Sequence, residues 1–232
     1  MKNLFVCGKK YLDTILIAES VIHGETNKCS SIIKKNGGLY NFFEIEYKNW
    51  KIKPVVCGEK EAFIVSNKSK STRTSFVNDI TPSKFSKRQL SDISKTCDWL
   101  HISYIDDFDC WQSIIDLNLS YSLDFCTDKP RERFIQLLKK AKVIFDSRER
   151  RILYENITIK TPIVLHDENG FEIIINGKTI HNEVNVPTNG LNVNGAGDIF
   201  AGLFIEKYFD LGLVESSKFA MQETTKILKN RK

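Results

Sequence analysis

From Ser86 onward the chain alternates short apolar runs, at 99–103, 121–125, 143–145 and 163–166, with polar stretches. Helix candidates lie between the runs, near 109–118, 130–140 and 147–155. Strands alternating with helical segments predict a parallel sheet wrapped by helices, an α/β class chain. Residues 171–175 and 178–181 flank Asn176-Gly177, a type I′ hairpin signal. Two helices are predicted at the end, over 196–209 and 214–229. The first carries Ile199, Phe200, Leu203, Phe204, Ile205, Tyr208 and Phe209 and is apolar nearly all round, which predicts burial.

The N-terminal third reads differently. Apolar runs at 4–7, 12–17, 31–35, 55–56, 62–66 and 72–77 predict strands joined by polar turns. Gly37-Gly38 breaks the chain ahead of a short helix over 39–47. A small sheet drawn from about 10–35 and 55–78 would lie over the C-terminal edge of the main sheet, where open α/β folds bind ligands. With 232 residues, the chain 1–232 is expected to form a single domain.

Composition narrows the function classes. A net charge of +5 is mild, and it fits a solvated lysine-rich surface or, as the alternative, a surface that attracts anionic substrates such as nucleotides or sugar phosphates. Lys68, Lys70 and Arg73 cluster with little aromatic interleaving, so no nucleic-acid partner is expected. No apolar run of about 20 residues is present, so no membrane partner is expected either. Residues 1–10 lack the order of a signal peptide. The six cysteines form no CxxC pair, and the four histidines are not spaced as metal ligands. Free thiols and a cytoplasmic location follow as expectations.

The strongest chemical signal is Asn194-Gly195-Ala196-Gly197-Asp198, directly before the buried helix. Glycines permit a tight turn and close approach of a ligand. The helix start offers unpaired N–H groups and a positive dipole end, an anion site. Asp198 at the same point can accept a hydroxyl proton, and the amides can stabilise phosphoryl charge. The plain alternative is an acid favoured in a helix's first turn. The string lacks the GKS or GKT ending of a Walker A loop.

Gly195-Ala196-Gly197-Asp198, followed by Ala201-Gly202, resembles the C-terminal signature of the PfkB (ribokinase-like) carbohydrate kinase family. Gly37-Gly38-Leu39-Tyr40-Asn41 resembles its N-terminal Gly-Gly signature, with Gly24-Glu25-Thr26 ahead at a family-like interval. Weaker similarities follow in order: Asp13, Arg73, residues 100–103, Asp124, Asp146-Ser147-Arg148-Glu149 in place of Asn-x-x-Glu, and Glu168-Asn169-Gly170. Departures accompany them. Asn192 stands where an aspartate is common and Val193 where a threonine is, which bears on the family's monovalent-cation site. Asp167 stands where a nucleotide-contacting glycine is usual, and the segment between Asn41 and Cys57 is short.

The resemblance implies a ribokinase-like three-layer α/β/α sandwich with a small N-terminal β-sheet lid. It implies an ATP- and Mg²⁺-dependent kinase acting on a hydroxyl of a sugar or polyol. Asp198 would be the catalytic base, and Gly195, Ala196 and Gly197 the anion hole. Asp13, Gly37, Gly38 and Asn41 would hold the acceptor. Asp146, Glu149 and Asn194 would lie on the nucleotide side, with Glu149 holding Mg²⁺ through water. Homodimerisation through the lid is a further expectation. The alternatives are a catalytically degenerate sugar- or nucleotide-binding protein of the same fold, and a nucleoside or sugar-phosphate kinase.

Overall fold

The computed structural model describes residues 1–70, 72–77, 81–109, 111–184 and 191–231. Cys110 and the end of the predicted lid range at residue 78 lie outside the described residues. The described strands are β1 (Lys2–Ala18), β2 (Ser31–Gly38), β3 (Trp50–Asn67), β4 (Thr72–Val77), β5 (Trp99–Ile102), β6 (Tyr121–Asp124), β7 (Val143–Ser147), β8 (Ile163–Asp167), β9 (Gly170–Ile175) and β10 (Lys178–Val184). The α-helices are α1 (Lys87–Thr96), α2 (Trp111–Asp116), α3 (Ile135–Lys140) and α4 (Ala196–Lys229).

In the main layer β3, β1, β5, β6, β7 and β8 are parallel neighbours in that order, and β9 and β10 extend the edge antiparallel. Successive side chains of a strand point to opposite faces. Leu4, Val6, Trp99, Phe145 and Val164 pack toward α4. Phe5, Cys7, Leu100, Ile102, Leu123 and Ile144 pack toward α1, α2 and α3. Both faces are apolar because both are covered, which produces the three layers expected.

Ile199, Phe200, Phe204 and Ile205 are buried, as the all-round apolar pattern of the first C-terminal helix predicts. Phe209, at the end of that pattern, is exposed. Gly212, with φ 74°, breaks α4 between the two helices predicted there. Asn176 and Gly177 take the positive φ values of a type I′ turn. Three predicted helices are wholly or partly 3-10: Leu39–Glu44, Arg131–Phe134 ahead of α3, and Arg148–Tyr154.

The lid differs from expectation in one respect. The runs at 4–7 and 12–17 are one strand, β1, and those at 55–56 and 62–66 are one strand, β3. Both pass from the main layer into the lid, with a register shift where Gly8 pairs Val56 but Lys10 pairs Glu59. In the sequence the first apolar run ends at Gly8 ahead of two lysines, yet Lys9 is buried and its Nζ donates to the Thr81 carbonyl at 2.7 Å. β5 pairs β1 over Leu4–Cys7, and β2 pairs it over residues 10–17. Since β3 holds the other edge throughout, the sheet forks near Gly8, and the cleft opens at that fork. Among the described residues, no helix is long and apolar enough to cross a membrane.

Candidate active site

Asp198 lies in the first turn of α4, 2% exposed. Gly195 precedes the helix in the left-handed region at φ 74°, and a Cβ there would strike the Asn41 carboxamide. This close approach brings Asn41 Nδ2 to donate to Asp198 Oδ2 at 2.8 Å. The Tyr104 hydroxyl donates to the same oxygen at 3.4 Å. Asp198 Oδ1 is buried with no hydrogen-bond partner among the described residues.

The Gly-Gly turn sets the other side. Gly38 has φ 62°, and a Cβ there would run into the Lys9 carbonyl and the Tyr11 ring. A Cβ on Gly37 would occupy the space of the Asp13 carboxylate. The pair therefore lets β2 turn into the 3-10 helix that carries Asn41 while Asp13 packs against bare backbone. Asp13 Oδ2 accepts from Asn194 Nδ2 at 3.1 Å, and Asn194 Oδ1 accepts from Arg73 Nη1 at 2.7 Å. These groups, with Tyr11, line a cleft of about 170 Å³ beneath the lid.

Burial pushes the Asp198 carboxyl up to about 7, against the opposing pull of the Asn41 hydrogen bond and of Arg73, Tyr104 and Lys35. Burial likewise raises Asp13, with Asn194, Lys35 and Arg73 opposing. Asp198, followed by burial, drives the Tyr104 hydroxyl well above its ordinary range, so it stays a donor. Asp124, at the end of β6, is buried beside Gly197. Burial, then Asp198 and Asp146, push its carboxyl well above the usual carboxylate range.

Asp13, Gly37, Gly38, Asn41, Asn194, Gly195 and Asp198 thus come together. The Ala196 N–H donates to the Val193 carbonyl at 3.1 Å, whereas Gly195 and Gly197 amides have no bonded acceptor among the described residues. Asp146 is occupied from within: Oδ2 accepts from Arg131 at 2.6 Å and Tyr154 at 2.7 Å, and Oδ1 from the Ser147 N–H at 2.8 Å. Glu149 is exposed, with no bonded partner among the described residues. Gly24-Glu25-Thr26 lies in an exposed link between β1 and β2. Sequence reasoning missed Tyr104 and Lys35. The signal for Tyr104 was its place just past the C-terminal end of a parallel strand, where ligand sites gather.

No family model matches the chain, and no curated protein matches it by sequence. Solved structures do match. A Burkholderia thailandensis nucleoside kinase in complex with inosine aligns at TM-score 0.70 and 10% identity, over 99% of this chain and 90% of that one. An Arabidopsis thaliana ribokinase complexed with ribose and ATP aligns at 0.67 and 13%, over 100% and 94%. A microbiome-derived acarbose kinase aligns at 0.64 and 13%, over 96% and 91%. The chain has the ribokinase-like fold.

Proposed function

We propose that the chain is a PfkB-type kinase that transfers the γ-phosphate of ATP to a hydroxyl of a sugar, polyol or nucleoside. The observation that carries this reading is the Asp198 carboxylate at the start of α4, held through one oxygen by Asn41 and Tyr104 with the other unpartnered among the described residues. That arrangement suits a base that takes a hydroxyl proton beside amides that take phosphoryl charge.

In the proposed reaction the acceptor hydroxyl lies in the cleft, oriented by Asp13 and Asn41. Asp198 Oδ1 takes its proton as the acceptor oxygen forms a bond to phosphorus. The bond between phosphorus and the β–γ bridging oxygen breaks, and ADP leaves. The Gly195 and Gly197 amides hold the phosphoryl oxygens, and the Ala196 amide joins them if its turn to Val193 opens. Arg73 and the lid strands exclude water, which limits wasteful ATP hydrolysis. Among the described residues no cluster of three His, Cys, Asp or Glu side chains could cage a metal. Mg²⁺ keeps much of its water and binds through few carboxylates plus phosphate oxygens. Glu149, exposed and without a bonded partner among the described residues, fits that mode, and the ion would supply charge neutralisation on the phosphates.

The test is ADP release from Mg-ATP with pooled sugars, sugar phosphates and nucleosides, run beside Asp198→Asn. Turnover with one pool that the variant loses supports the kinase. One observation favours the degenerate binding protein instead. Asp167, the last residue of β8 and paired with Arg148 at 3.6 Å, puts a carboxylate where the family resemblance has a nucleotide-contacting glycine. Ligand-raised melting temperature without turnover in any pool would support that second reading.

A further inference from the structure

We propose that the Arg231 guanidinium is a built-in cation for the loop ahead of α4, standing in place of a dissociable monovalent cation. The inference rests on the reading that Gly195–Asp198 receive a phosphoryl group.

Arg231, just past α4, folds back on this loop. Its Nη1 donates to the Asn192 carbonyl at 3.0 Å and to the Asn194 carbonyl at 2.5 Å. Its Nη2 donates to Glu44 Oε2 at 2.7 Å. Two carbonyls of one loop converge on a single positive group, and backbone carbonyl oxygens are also the ligands from which alkali-cation sites are built. Here the charge is covalently attached and cannot be titrated away.

The loop's side chains agree. At the two positions where the family resemblance would supply ligand oxygens, this chain has Asn192 and Val193. Asn192 Oδ1 is turned inward, accepting from the Asn194 N–H at 3.2 Å, and valine has no oxygen to offer. The loop therefore lacks an anionic side chain to hold a free ion, and does not fit one while Arg231 occupies its carbonyls.

The contact orients the site as well. A trans peptide points its C=O and N–H in opposite directions. The Asn194 carbonyl held on Arg231 thus turns the Gly195 N–H away from the guanidinium. On the other side, Glu44 also binds Lys35 Nζ at 2.5 Å, Lys35 reaches Asn41 Oδ1 at 3.4 Å, and Asn41 bonds Asp198. Burial raises the Glu44 carboxyl, but Lys35 and Arg231 outweigh it and hold it below its ordinary value, so the chain of charges persists at neutral pH. Arg231 is a positioning residue, acting through the loop and through Glu44.

The experiment is calorimetric titration of the full chain with Mg-ADP in tetramethylammonium chloride and in potassium chloride at matched ionic strength. Arg231→Ala is run in both salts and again with guanidinium chloride at non-denaturing concentration. Wild type should change affinity by less than about twofold between salts. The variant should bind about tenfold more weakly in tetramethylammonium, the scale of lost charge-assisted hydrogen bonds, and recover most of that loss with potassium or guanidinium. Wild-type binding that tightens about fivefold or more with potassium overturns the proposal, whether or not the variant folds. So does a variant that binds as wild type, a loss that neither cation restores, or a wild type that binds no Mg-ADP in either salt. Absence of turnover with binding intact would instead sink only the kinase reading.

Discussion

Asn41 Nδ2 donates to Asp198 Oδ2 at 2.8 Å, joining the turn after Gly37-Gly38 to the first turn of α4 across 157 positions of sequence. The bond favours the ionised carboxylate, and burial opposes it more strongly. The base is therefore active only when deprotonated, and the rate of ADP release should rise with pH through about 7 and level off above. Asn41→Ala removes a group that lowers the Asp198 pKa, so its rising limb should lie at higher pH. A pH–rate profile of both proteins checks the direction.

Asp198→Asn should abolish turnover by a factor of about 10² to 10⁴, the range for loss of a general base. It should also change stability in a pH-dependent way. The folded pKa of about 7 lies above the ordinary carboxyl value of 3.8. Folding thus favours the protonated acid, and the stability this adds is present below 3.8 and lost as pH rises through about 7. The variant should melt above wild type at pH values over 7, with the gap closing toward acid pH. Thermal melts across that range test the sign.

Gly195→Ala places a Cβ on a residue at φ 74° and drives it into Asn41. The left-handed backbone alone costs about 1–2 kcal/mol, and the collision displaces Asn41 from Asp198. Chemical denaturation should report the lost stability, and ADP release should fall with it.

Arg131 and Asp146 form an ion pair 2.6 Å long with both side chains fully buried. The Arg131 guanidinium also lies against the Phe125 and Tyr154 rings. Arg131→Met leaves the Asp146 charge without its nearest cation and should cost about 3–5 kcal/mol in urea unfolding. Adding Asp146→Asn should return much of that loss. A double variant as unstable as the single one would show that the packing of Arg131, rather than its charge, holds this region.

The parts of the molecule legible in advance are those governed by local chemistry. The strands β5 to β8 show as apolar runs because both their faces are covered. The hairpin shows in Asn176-Gly177 because few other pairs take two positive φ values. The glycines before Asp198 and at 37–38 show because close backbone approach admits no Cβ. Asn41 and Asp198 follow these glycines directly in the sequence, whereas Asp13 is marked only by the family resemblance. Asp146 was placed on the nucleotide side, yet the structure ties it to Arg131, Tyr154 and Arg150, partners that no spacing reveals.

By itself the sequence determined a parallel sheet wrapped by helices, the glycine turns and the acid at the start of α4, since periodicity and turn geometry act over a few residues. Only the tertiary structure decided that β1 and β3 run unbroken through polar Gly8-Lys9-Lys10 and residues 57–60. Pairing with neighbours on both edges of β1 overrides the local preference to turn. Only the tertiary structure, too, brought Arg231 to Glu44 across 187 positions and onto the carbonyls ahead of α4. Charge pairing acts through space, and where a charge comes to rest depends on the completed fold.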